Sequence, residues 1–335
     1  MDHHTKLYRV LSRESVKEKV ELLTVYLSFA TFIGHLALIG LRNTFPEISY
    51  LQPLSANYLS ALYTPFSIIL VYEVYLLILA LPLSFTNSVR KQYEIISLII
   101  IRNVFKDISM FDDFEQLAEQ QDVIIRLASD LGSGLLLFFL VGVFHQVSLR
   151  RKKFSFLTEE QIRRFVYLKE RVSILLLVIF AGLTLFSIYE FSLETYRLFV
   201  FGETFTIDLG VIFFVEFYTI MIFSDVFIFI ASFMFSQTYS RLLRNAGFVC
   251  STVILRISLS VESEYSGWIA AVAALTGILS QVIYVYFIRL EEEFKEEDNI
   301  DESDTDDGDK KVEDGAENNE RDADDDQNLP EQKDG

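Results

Sequence analysis

VRKQYEIISLIIIRNVFKD, residues 89–107, is the stretch on which the topology of this chain turns. Its fully apolar core is short, and its flanks carry Glu94 and Arg102. A helix that faces lipid all round needs about 20 mostly apolar residues. By hydropathy alone the segment is therefore an interfacial helix lying in the headgroup plane.

The surrounding Lys and Arg residues argue for a crossing. Seven other segments read as membrane spans: 22–41, 60–84, 127–148, 172–191, 208–235, 246–261 and 267–290. The basic clusters lie at Lys6 to Lys19, at Arg90 and Lys91, at Arg150 to Lys153 with Arg163 to Arg171, and at Arg241 and Arg244. Cytoplasmic loops collect such residues. All four clusters share one side only if 89–107 crosses, because an even number of spans must separate Lys91 from Arg150. The expected fold is all-α: a polytopic helical membrane bundle of about eight transmembrane helices with both termini cytoplasmic. The alternative is seven crossings plus one interfacial helix, which places the basic amino terminus outside. No small-residue cleavage site follows the first apolar run, so it reads as a retained span.

Composition agrees with a bilayer as solvent. Of 335 residues 51% are hydrophobic, with Phe 31 and Tyr 16, more apolar matter than one soluble core needs. The formal charge of −18 is concentrated at one end of the chain. Residues 291–335 hold 22 acidic and 5 basic side chains, so all but one of the excess negative charges lie there. This segment has almost no aliphatic residues and is expected to stay disordered. The chain thus divides into a basic cytoplasmic segment 1–20, a transmembrane domain 21–290 and an acidic cytoplasmic tail 291–335. The lone Cys250 excludes an internal disulfide and reads as a small core residue.

Ionisable residues at membrane depth are costly, about 2.5–3.5 kcal/mol each at a helix centre on the insertion scale, and usually face the bundle or a wet cavity. Glu73, Arg102, Glu216, Asp225 and Arg256 fall at such depths, with His35, His145 and Gln281 as secondary candidates. From a rise of about 1.5 Å per residue, Glu73 sits near the level of Arg102 and Glu216 near that of Arg256. Two ion pairs are expected, with Asp225 left without an obvious partner. The acid-then-base order, and VYEVY (71–75) against FVEFY (214–218), hint at a parallel four-plus-four repeat. Ala270 with Ala274, and Ala273 with Gly277, lie four apart and predict a close-packed seam on the last helix. Gly132, Ser133, Gly134 and Gly142 suggest the same in 127–148.

Known intramembrane chemistries do not fit. EEQIRR (159–164) has the Glu-Glu-x-x-x-Arg spacing of one class of intramembrane metalloprotease, but no His follows His145 to complete a metal site. Zinc-binding HExxH, phosphate-cradling glycine loops and paired Cys ligands do not occur. Neither an Arg at every third position of one helix nor a potassium-filter spelling is present. No catalytic residue, metal or cofactor is expected, and nucleic acid is not an expected partner. The leading expectation is a channel or secondary transporter for a small ion or polar solute. The alternative is a membrane scaffold or signalling protein whose buried pairs are structural and whose acidic tail takes a basic protein partner. Self-association through the small-residue seam stays open. Deletion of residues 291–335 separates the two: a transporter keeps its flux, whereas a scaffold loses its partner in a pull-down.

Overall fold

The computed structural model describes residues 3–47, 57–109, 121–149, 159–201, 209–235, 239–261 and 265–290. The acidic tail, the basic residues 150–158 and the acidic stretch 110–120 lie outside them. Every element is helical: α1 (His3–Leu11), α2 (Glu14–Thr44), a 3₁₀ turn (Tyr58–Leu62), α3 (Tyr63–Ala80), α4 (Phe85–Ser109), α5 (Gln121–Leu149), α6 (Glu159–Phe201), α7 (Leu209–Phe233), α8 (Tyr239–Ser260) and α9 (Ser266–Leu290). Among the described residues there is no strand. The chain divides into two compact units, 1–283 and 284–335, and the helical bundle belongs to the first.

Among the described residues, seven helical stretches are long and apolar enough to cross a membrane: α2, the 3₁₀ turn with α3, α5, α6, α7, α8 and α9. They fit a multi-pass membrane protein. Their outward faces carry large apolar side chains, such as Phe139 (68% exposed), Leu185 (68%) and Phe223 (71%). Soluble monomers seldom leave so much contiguous apolar surface bare.

The segment 89–107 lies inside α4, which is not among the seven. Its burial explains its polarity. Val89, Gln92, Tyr93, Ile95, Ile96, Ser97, Ile99, Ile100 and Val104 are all buried, against α3, α5 and α8. Consecutive buried positions wrap round more than one face of the helix, whereas an interfacial helix would keep one face wet. Because its neighbours are protein, α4 can carry groups that a lipid-facing helix could not.

Pro82 cannot continue α3, and carbonyls at that helix end lose their i+4 backbone donors, Ile78 O keeping only Leu81 N at 3.3 Å. Side chains from two other helices meet them. The Tyr8 hydroxyl of α1 donates to Leu79 O at 3.0 Å, and Ser173 Oγ of α6 donates to Ile78 O at 3.2 Å. Lys169 Nζ of α6 donates to Leu83 O at 2.9 Å in the turn between α3 and α4. In return, Tyr75 of α3 donates to Leu11 O at 2.7 Å. Burial, with Glu170 and Tyr75 nearby, pushes the Tyr8 hydroxyl up to about 12. Its folded value thus exceeds the ordinary value of about 10. The contribution of this group to stability is complete below that ordinary value and is lost as pH rises towards 12.

The predicted seam on α9 is closely packed. Ala270, Ala271, Ala273 and Ala274 are buried. Tyr93 and Ser251 share a hydroxyl hydrogen bond, and Ser251 donates to Ala273 O at 2.6 Å. A Cβ on Gly277 would run into the Tyr93 hydroxyl, one on Gly267 into Ser133, and one on Gly247 of α8 into Ser280. Gly134 in α5 lies against Ile101, where a Cβ would come within 2.8 Å of Cγ1, but Gly132 and Gly142 face open space.

Three sequence expectations need correction. Cys250 is exposed rather than a core residue, because the buried face of α8 runs through Phe248, Ser251, Thr252 and Leu255. The span placed at 172–191 is part of a helix that begins at Glu159, so Arg163 to Arg171 is helical rather than a loop. The stripe Lys169, Ser173, Leu176 and Phe180, all buried, shows why: it packs one face of α6 to its near end. Glu216 is exposed while Tyr218 beside it is buried, so VYEVY and FVEFY have no matching surroundings and the repeat gains nothing. Gly277→Val is expected to destabilise the detergent-solubilised protein by about 1–3 kcal/mol through overpacking. Gly142→Ala should be neutral or slightly stabilising, and thermal unfolding monitored by circular dichroism reads both.

Candidate functional site

The interior holds a row of polar side chains contributed by five helices. At one end Glu73 of α3 faces Arg102 of α4, with Arg102 Nη1 at 3.8 Å from Glu73 Oε2. The same Nη1 donates to Phe66 O at 3.0 Å. Oε2 accepts no hydrogen bond from the described residues, so this pair is held by charge more than by geometry. Tyr218 of α7 is buried next in the row, and its hydroxyl feels the charges of Glu73, Arg102 and Arg256 together.

Arg256 of α8, 1% exposed, is the largest fully buried side chain among the described residues. Its Nε and Nη2 both reach Asp225 Oδ2 of α7 at 2.8 Å. Nη2 also donates to Gln92 Oε1 of α4 at 3.1 Å, while Nη1 has no partner among the described residues. One guanidinium therefore ties three helices. Arginine suits the place because its planar fork directs several donors at once and keeps its charge when buried. The Thr252 hydroxyl, four residues before Arg256 and hence on the same face of α8, donates to Val249 O at 3.1 Å.

Beyond Asp225 lies a cavity of about 20 Å³, lined in part by Ser88, Gln92, Lys169, Asp225 and Thr252. Lys169 is buried, and its ammonium stands 4.2 Å from the Phe85 ring centre and 5.0 Å from that of Phe165. Such aromatic faces attract a desolvated cation by about 2 kcal/mol or more. Lys169 also meets the Leu83 carbonyl at the end of the α3 segment, a placement in which a cation is favoured.

The expected Glu216–Arg256 pair does not form. Glu216 is exposed, and the partner of Arg256 is Asp225, the residue expected to have none. Depth counted along a helix axis misleads here, because an Arg side chain reaches several ångströms along its own axis and chooses its level. Asp225 lies nine residues beyond Glu216, about 13 Å along α7, and Arg256 extends towards it. The secondary candidates lie elsewhere. His35 Nδ1 is 2.6 Å from Thr64 Oγ1 between α2 and α3. Arg90 Nη1 donates to His145 Nδ1 at 3.0 Å, which leaves the proton of a neutral ring on Nε2. Gln281 is fully buried, and neither of its amide atoms has a partner among the described residues.

Lys169, Gln92, Tyr218 and Thr252 were not anticipated. A helical continuation of the apolar face of 172–191 would have shown Lys169 in register with Ser173, Leu176 and Phe180. The other three are uncharged and carry no comparable signal. Among the described residues no three His, Cys, Asp or Glu side chains gather to hold a metal ion. No protein-family model, curated protein or solved structure matches the chain.

Removing one member of a buried pair leaves the other charge uncompensated, at a cost of about 3–5 kcal/mol, whereas replacing both with apolar side chains is far milder. Asp225→Ala and Arg256→Met are each expected to be strongly destabilising, and the double variant less so than the sum. Glu216→Gln should stay within about 0.5 kcal/mol of the parent. Chemical unfolding of the four proteins in one detergent measures the coupling.

Proposed function

We propose that the protein is a membrane channel or secondary transporter for a small ion or polar solute, and that the row from Glu73 to Lys169 is its path. The supporting observation is the row itself: Glu73, Arg102, Tyr218, Arg256, Asp225 and Lys169 run through the bundle interior and end at a small cavity where Ser88, Gln92 and Thr252 stand among apolar side chains. Enclosing charged side chains in one bundle is expensive. A packed scaffold could use apolar residues of similar volume at equal or better stability.

In this reading α4 is the eighth crossing. Its 25 residues span about 37 Å, more than the roughly 30 Å hydrocarbon thickness. Its burial against α3, α5 and α8 supports that placement over an interfacial one. Eight crossings put Lys6 to Lys19, Arg90, Lys91 and Arg241 on one side, the cytoplasmic one, with the cavity near that side and Glu73 deeper.

A scaffold reading has one observation in its favour. Asp225 and Arg256 satisfy each other closely, which is what a purely structural pair requires. Ion flux into liposomes containing the purified protein decides between them. Glu73→Gln and Asp225→Asn are expected to reduce flux roughly tenfold or more, on the scale of losing one positioned group, with Glu216→Gln at the parental rate. An impermeable wild-type protein, together with variants that only lose stability, would favour the scaffold.

A further inference from the structure

The cavity at the end of the row says which ion is compatible with it. Lys169 from α6 and Asp225 from α7 both line it, without a direct ion pair between them among the described contacts. Both Arg256 donors fall on Asp225 Oδ2, which leaves Oδ1 as the carboxylate oxygen for the cavity side. The Lys169 ammonium has three N–H donors and spends one on Leu83 O. Its other neighbours are ring faces, which accept no conventional hydrogen bond. A cavity of about 20 Å³ holds one water molecule, for which about 10–15 Å³ and two to four polar partners are needed. Ser88, Gln92 and Thr252 supply further partners in its wall.

We propose that Lys169 and Asp225 form a water-bridged proton-exchange site, and that the ion carried along the row is the proton. The step balances without another reactant. The ammonium gives one proton to the water, the water gives one of its own to the Asp225 carboxylate, and a neutral amine faces a neutral acid. The reverse transfer restores the ion pair. Charged or titratable groups from the helices around the cavity are Lys169, Asp225 and Arg256, whereas α4 contributes the uncharged Gln92 and Ser88. Arg256 keeps its proton throughout and cannot take part in exchange. A metal cation is disfavoured because a tethered ammonium already stands in the cavity. Fully ionised, the row holds Arg102, Arg256 and Lys169 against Glu73 and Asp225, one positive charge in excess. Losing a proton from the row cancels that excess.

The identity of the cargo rests on the transport reading, but the exchange site does not, so the test has two arms. In the first, the full-length protein is titrated in detergent by infrared difference spectroscopy, and the carboxylic acid band absent in Asp225→Asn is assigned to Asp225. The expected result is a band that titrates between about pH 4 and about pH 10, the ordinary values of the two groups. Its midpoint should move by about one pH unit or more in Lys169→Arg, which keeps the charge and a donor for Leu83 O but does not release a proton. A band that never appears, or a midpoint indifferent to Lys169→Arg in a protein of parental stability, overturns the exchange site. In the second arm, liposomes are tested for proton uptake and for sodium, potassium and chloride flux. Proton uptake lost in both Asp225→Asn and Lys169→Arg supports the cargo. Flux of another ion that survives both substitutions overturns the cargo while leaving transport standing. A coupled titration in a protein that passes no ion overturns the transport reading and supports the site.

Discussion

A buried guanidinium has no water to fall back on, so every helix around Arg256 is arranged to answer it. Asp225 supplies the counter-charge and Gln92 a neutral acceptor. The desolvation of this one group costs several kcal/mol, and only partners on other helices can offset it. That requirement fits α4 in the interior, where Gln92 meets Arg256 of α8 and Arg102 meets Glu73 and Phe66 O of α3. Once α4 is central, α5 and α9 close around it through Tyr93, Ser133 and the alanines of α9.

Small residues set how close these helices come. Where Gly267 and Gly277 meet side-chain hydroxyls, backbone and side chain approach within a distance that leaves no room for a methyl group. The hydroxyls bond back to carbonyls of their own or a neighbouring helix, as Ser133 does to Asp130 O at 3.2 Å and Ser251 does to Ala273 O. These hydroxyls are thus satisfied locally, and close van der Waals contact adds to the cohesion of the helices.

Much of the fold was legible because its signals are local. Apolar length marks a membrane-capable helix, and the four-residue spacing of Ala270 with Ala274 marks a packed face. Both depend only on residues close in sequence. The site was legible in membership more than in pairing. Glu73 and Arg102 stand on consecutive helices joined by a short turn, which fixes their levels, and the structure sets them 3.8 Å apart. Asp225 and Arg256 also stand on consecutive helices, 31 residues apart, but their meeting depends on which way a long side chain extends. Lys169 escaped notice because it sits among basic residues that read as a loop, although its neighbours Ser173 and Leu176 carry the helical period through it. Cys250 misled for the converse reason: an apolar neighbourhood in sequence does not say which face of the helix is buried.

The turn at Pro82 bears on how the protein is made. The carbonyls of Ile78 and Leu83 on either side of it are met by Ser173 and Lys169, which emerge from the ribosome some 90 residues later. Tyr8, by contrast, is synthesised before α3 and is available for Leu79 at once. The hairpin of α3 and α4 therefore enters its surroundings with one end half finished, held by the amino-terminal helix alone. Completion waits for α6, so that the first half of the chain gains its final stability only when the second half arrives.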